Sequence, residues 1–302
     1  MKYKNTVSLL VVCIILLSLT ASVYGVFSNQ GQGQYEFKSL HGETVSIYGK
    51  GLYKNDSLAM AVQARAQDTV TMVLGVPLLA ISLYMARKNW LKGRLLLTGT
   101  LAYFLYTYVM YTFTAMYNQF FLVYVILMTT AFYAFILSML SFDMEELGRS
   151  FSEKLPVKFV GGFLLFLGAV VGLLWIGRIV PTLIEGTMPI GLEHYTTLVI
   201  QGLDLGILIP TQVIAGVLLI KRKTFGYLLA SVMIIKLITL LTALTAMIVG
   251  QAFAGVKMGI FEMAMFPLFN LIAIYCLAAI LKNIKEKGSN KAATSLASGD
   301  DS

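Results

Sequence analysis

Long apolar runs alternate with short polar breaks along almost the whole chain. Eight runs stand out, at 6–27, 69–86, 95–113, 119–141, 159–180, 198–220, 226–250 and 259–281. Each is long enough to cross about 30 Å of hydrocarbon as a helix rising 1.5 Å per residue. Lipid offers no partners for backbone polar groups, so a spanning segment satisfies them internally, as a helix or a closed barrel. None of the runs alternates with the period of two that a barrel strand requires. The pattern predicts an all-α membrane protein, an eight-span helical bundle occupying 1–287.

A different period appears in the polar segment 28–68. After a Gly- and Gln-rich start, the stretches 35–40 and 43–48 alternate at period two about His41-Gly42, which predicts a β-hairpin closed off by Gly49 and Gly51. Ser57 is placed to cap a helix that runs through Met60, Val62 and Arg65 into the second span. The segment reads as a small lid on the outer face. The tail 288–302 is small and polar, and it reads as disordered.

Composition agrees with the pattern. Of 302 residues, 58% are hydrophobic and 13% charged, against about a quarter charged in a soluble domain. Soluble enzymes, disordered chains and disulfide scaffolds are excluded. The net charge of +8 has an ordinary source. With both termini in the cytoplasm, 16 of the 23 Lys and Arg residues fall on the cytoplasmic side, as the positive-inside rule requires. No basic stripe is interleaved with stacking aromatics, so nucleic acid is not an expected partner. The lipid bilayer is, together with a small solute or ion. The run 6–27 is longer than the core of a usual signal peptide and reads as a retained anchor. Cys13 and Cys276 both fall inside spans and form no CxxC pair. Asn55-Asp56-Ser57 matches the short N-glycosylation pattern.

Shifting the chain by 133 positions aligns Pro77 with Pro210, Lys88 with Lys221 and Gly93 with Gly226. Two readings stay open: a parallel 4+4 repeat about an axis along the membrane normal, or chance likeness between apolar hairpins.

Ionisable residues inside spans cost about 2.5–3.5 kcal/mol each on insertion scales. Asp204 in the sixth run and Lys236 in the seventh are the clearest cases. Their depths differ by about 12 Å, beyond the roughly 6 Å reach of a lysine, so a direct pair needs helix tilt, a shifted register, or a water or polar relay between them. Gln201 and Thr211 share a helix face with Asp204, and Glu262 and Asn270 share one in the last run. Together Asp204, Lys236, Gln201, Glu262 and Asn270 form a candidate ladder lining an outward-opening polar cavity for a transported or bound small ligand. The competing reading is interhelical polar glue. Tyr103, Tyr106 and Tyr111 lie roughly on one face of the third run, as packing or as an aromatic pocket. Trp90 and Trp175 fall near predicted interfaces, so no tryptophan-lined pocket is expected around Lys236.

His41, Glu43, Glu193 and His194 offer zinc-type ligands only if two outer loops meet, and they read as solvated loop residues. No catalytic residue, metal site or cofactor motif is identified; HExxH, GxSxG and Walker patterns are lacking. Catalysis is therefore unsupported. An alternative to transport is a non-catalytic assembly or signalling partner that docks through the outer loop.

Ser39-Leu-His-Gly-Glu-Thr-Val-Ser-Ile-Tyr-Gly, Gly51-Leu-Tyr-Lys-Asn-Asp and Gln201-Gly-Leu-Asp-Leu-Gly resemble segments of uncharacterised multi-span membrane proteins of bacteria. The resemblance runs over most of the chain. It implies a bacterial plasma membrane, and it assigns no functional residue.

Overall fold

In the computed structural model, residues 2–255 and 260–286 are described, with backbone alone at 260–262. The expected tail and Lys257 lie outside them. The first helix, α1 (Lys4–Phe27), leads into the hairpin, β1 (Tyr35–Lys38) and β2 (Thr44–Ile47). The strands pair antiparallel with Tyr35 opposite Ile47 and Lys38 opposite Thr44. Gly49 and Gly51 end the hairpin with φ of 71° and 59°, which glycine adopts without a Cβ penalty. The Ser57 side chain accepts from the Met60 N–H, capping α2 (Leu58–Val70) as the sequence predicts. A π-helical turn at Thr71–Gly75 joins α2 to α3 (Val76–Arg87), so one helix runs from Leu58 to Arg87. Then come α4 (Leu91–Thr114), α5 (Phe121–Met139) and the short α6 (Met144–Ser150). The second half begins with α7 (Val157–Glu185). It continues through α8 (Val199–Leu203), a second π turn at Asp204–Leu208 and α9 (Ile209–Ile220). It closes with α10 (Thr224–Phe253) and α11 (Ile260–Lys282).

Among the described residues, seven helices are long and apolar enough to cross a membrane. They include the two π-interrupted ones as continuous helices. The predicted run 95–113 also forms a 24-residue helix, α4. Its four tyrosines and its threonines dilute its hydropathy, and it is not among the seven. That composition matches its position. It packs between α3, α5 and α10, where polar side chains find protein partners.

The two π turns lie 133 residues apart, and so do the features around them. Pro77 and Pro210 follow each turn at the start of the next α-helix. Proline lacks the N–H for a regular helical bond and crowds the carbonyl four residues back; a wider π turn relieves both. Lys88 and Lys221 then cap α3 and α9. Asn89 and Arg222 follow with φ of 62° and 53°. At Gly93 and Gly226 a Cβ would lie 2.6 Å from the Met85 carbonyl carbon and 2.3 Å from that of Leu218.

Buried apolar side chains divide into two cores. One is built by α1 to α5 with Leu52 and Tyr53, the other mainly by α6 to α11 with Leu95. The helix α10 packs on both α2 and α4 of the first group and on α9 and α11 of the second. Without a hydrophobic drive between helices in lipid, close approach depends on small residues. Gly99 of α4 receives Ile235 of α10, whose Cβ lies 2.4 Å from where a Cβ would stand. Gly161 of α7 and Gly216 of α9 bring the two backbones together: a Cβ on either would lie 2.7 or 2.8 Å from the other's carbonyl oxygen. At the end opposite the hairpin, Glu286 accepts from the Leu91 and Lys92 N–H groups at 2.8 and 2.9 Å and so caps α4. A bridge between Phe151 and Ile284 holds this segment against α6.

Candidate functional site

A cavity of about 490 Å³ lies between the two helix groups, within the ~300–1,000 Å³ range of small-molecule sites. Side chains of α2, α4, α7, α9, α10 and α11 form its wall, with the π turn at 204–208. At the hairpin end it reaches Asp56, Thr114 and Arg178. At the other end it reaches Leu167, Gln212 and Leu237. Along α7, Leu167 to Arg178 spans about 16 Å. Most of the wall is aliphatic or aromatic, including Val171 on α7 and the α11 pair Met265 and Phe269. The cavity is thus largely apolar, where the sequence suggested a polar one.

Asp204 is the charged group in mid-wall. It is 7% exposed, and donors from two other helices hold its carboxylate. The Tyr106 hydroxyl of α4 donates to Oδ1 at 2.5 Å, and the Trp175 indole N–H of α7 donates to Oδ2 at 2.9 Å. The Lys236 ammonium lies 3.7 Å from the centroid of the same Tyr106 ring, a cation–π contact. Tyr106 bridges Asp204 and Lys236. Its ring takes the cation and its hydroxyl serves the carboxylate. Lys236 is 3% exposed and its Nζ has no hydrogen-bond partner among the described residues.

The other expected ladder residues separate. Asp204 lines the cavity; Lys236, Gln201 and Asn270 stand outside the set of lining side chains. Asn270 donates to the Thr242 hydroxyl at 2.9 Å, a bond between α11 and α10. Gln201 is buried one turn before Asp204, whose backbone N–H donates to its carbonyl. Thr211 bonds back to the Ile207 carbonyl, and its neighbour Gln212 occupies the wall instead. The side chain of Glu262 lies outside the described residues.

A second buried carboxylate, Asp68, is 1% exposed in α2. Tyr53 donates to Oδ2 at 2.5 Å and Tyr111 to Oδ1 at 3.0 Å. Gly25 of α1 leaves the room, since a Cβ there would lie 1.9 Å from Oδ2. The adjacent Gln67 donates to the Tyr103 hydroxyl at 2.7 Å, and Thr71, one turn along, shares a hydrogen bond with the same hydroxyl. The apolar run begins at Thr69, so Asp68 reads as the end of a loop. The signal that could have found it is the Ser57 cap, which carries the helix three turns past the loop. Tyr106 and Trp175 lack such a signal, because the same tyrosine periodicity also describes packing. Indeed Tyr108, Tyr111 and Tyr124 stack in the first core, with Tyr111 and Tyr124 centroids 5.2 Å apart.

The two hairpin-end loops do meet. The Tyr195 hydroxyl donates to Asp56 Oδ1 at 3.0 Å, the Met116 N–H donates to the same oxygen at 2.9 Å, and His194 Nε2 lies 3.1 Å from the Asn55 carbonyl. Burial pushes the Asp56 carboxyl up to about 6, against the opposing effect of these two donors. Among the described residues, no three His, Cys, Asp or Glu side chains gather to hold a metal ion.

Fold and composition define an integral membrane protein of the helical-bundle class. Compared with known proteins, the chain matches no family model, no curated sequence and no solved structure. Its function therefore has to be argued from the cavity.

Proposed function

We propose that the protein is a transporter-like or small-ligand-binding protein of a bacterial plasma membrane. In this reading it has eight spans, α4 being the eighth, both termini are cytoplasmic, and the cavity opens to the outer side at the hairpin end. The observation that carries it is the cavity itself, walled by both helix groups, with one carboxylate fixed in mid-wall by Tyr106 and Trp175. The basic residues near Lys88, Arg149, Lys221 and Lys282 at the opposite end support the orientation. The matched π turns, prolines, lysine caps and close glycines at an offset of 133 support a parallel 4+4 repeat. Ligand sites in repeat-built transporters lie between the repeats and beside broken helices.

The test is ligand-induced thermal stabilisation of the purified protein, followed by flux into proteoliposomes for any stabilising compound. A saturable shift that Asp204→Asn weakens is expected. A shift with flux marks a transporter, and one without flux a binding protein. If no compound stabilises the protein and Asp204→Asn has no effect on any readout, the proposal fails.

One observation favours docking through the outer loop as a second reading. Leu40 at the hairpin tip is 96% exposed and Ile190 on the neighbouring loop 86%. Leu40→Ser with Ile190→Ser should then release a co-purifying partner without changing the melting temperature.

A further inference from the structure

The cavity's chemistry restricts what enters it, an inference that rests on the ligand-binding reading above. Its charged side chains and the neighbouring Lys236 each have a contact within the chain, although Asp56 Oδ2, Arg178 Nε and Lys236 Nζ make no hydrogen bond among the described residues. Both Asp204 oxygens accept hydrogen bonds, and the Lys236 ammonium sits on the ring that donates one of them. At the mouth, Arg178 donates to the Ile190 carbonyl, and Asp56 is held by Tyr195 and Met116. A cation entering the wall would compete with Lys236 for Asp204. An anion would face the Asp204 carboxylate. Either would lose its hydration in a hydrocarbon-lined space.

Four wall side chains keep a buried polar atom without a hydrogen-bond partner among the described residues: Asp56, Thr114 and Arg178 at the hairpin end and, alone at the deep end, the neutral Gln212. Gln212 lines the deep end, is 1% exposed, and its Nε2 has no hydrogen-bond partner among the described residues. It lies eight residues beyond Asp204, about 12 Å deeper along the helix. A buried amide donor without an acceptor is destabilising, and a ligand acceptor relieves that cost. The walls between are Leu167, Leu208, Leu237, Leu241 and Phe269. We infer that the ligand is an uncharged amphipathic molecule: an elongated apolar body carrying a carbonyl-type oxygen that accepts from the Gln212 amide at the deep end of the cavity.

The experiment uses the full chain in lipid nanodiscs with Trp90→Phe, so that Trp175 alone reports from the cavity wall. Four probes share one ten-carbon alkyl chain: decyl methyl ketone, decane, decyltrimethylammonium and undecanoate. Empty nanodiscs set the partitioning background. The ketone is expected to change Trp175 emission saturably and to bind about five- to tenfold more tightly than decane, the worth of one neutral hydrogen bond. Gln212→Leu should remove that advantage and leave decane binding in place. If either ionic probe binds as tightly as the ketone, or the ketone's advantage survives Gln212→Leu, this inference is overturned while the ligand-binding reading stands. If no probe changes Trp175 emission saturably, this inference falls, and the ligand-binding reading is decided by the thermal-stabilisation test above. The ranking of the four probes on the unsubstituted Gln212 decides the matter even where Gln212→Leu does not fold.

Discussion

Asp204 shows how a carboxylate persists in an apolar wall. Two donors fill its two oxygens, and a lysine reaches it only through an intervening ring. Tyr106→Phe keeps the ring under Lys236 and removes the hydroxyl. It is expected to destabilise the protein by about 1–3 kcal/mol, because a buried acceptor loses its donor. Chemical or thermal unfolding in nanodiscs measures this, and Tyr133→Phe, at a ring 56% exposed, is the control expected to change nothing. Asp56 gives a second test at this scale. Its carboxyl lies at about 6 when folded, raised by burial, against an ordinary value near ~4. The folded state therefore holds the proton more tightly than the unfolded one. The stabilisation is fully present below about pH 4 and is lost as pH rises through about 6. Melting temperature should accordingly increase from pH 7 toward pH 5. Asp56→Asn should flatten that slope; an unchanged slope would sink the assignment.

At the scale of elements, glycines set the closest approaches between helices whose apolar side chains build the two cores. Gly99 lets α4 approach α10 at Ile235, joining the two cores. Gly99→Val forces side chains or backbone apart and should cost about 1–3 kcal/mol. Adding Ile235→Ala opens the space, so the double variant should be more stable than the sum of the two single effects, a coupling read directly from a double-mutant cycle. Much at this scale was legible from sequence. Period-two alternation placed the hairpin, Ser57 placed the start of α2, and Pro77 and Pro210 marked the 133-residue offset. The π turns themselves were not legible. A proline announces a missing N–H, and whether the helix kinks, breaks or widens depends on what packs beside it.

For the whole molecule, the arrangement of basic residues makes orientation testable. In a background with Cys13→Ala and Cys276→Ala, Lys54→Cys should react with a membrane-impermeant thiol reagent on intact cells. Lys223→Cys should react only after permeabilisation. Both side chains are exposed, so access to the reagent rather than burial decides the outcome. The opposite pattern would invert the bundle and turn the cavity mouth to the cytoplasm.

Sequence alone determined the membrane class, the helical segments, the hairpin and the two residues least suited to lipid, Asp204 and Lys236. These follow from local periodicity and from the cost of charge in hydrocarbon, both properties of a single segment. Tertiary structure alone decided which partners answer those charges. Tyr106 and Trp175 converge on Asp204 from helices α4 and α7, 98 and 29 residues away in the chain. Asp68 became a core residue because Gly25 of another helix leaves room for it. Asn270 turned away to Thr242, and Gln212 took the wall place expected of Thr211. A helical period fixes which residues share a face but not the rotation of that face relative to its neighbours, and that rotation selects which side chains line a cavity.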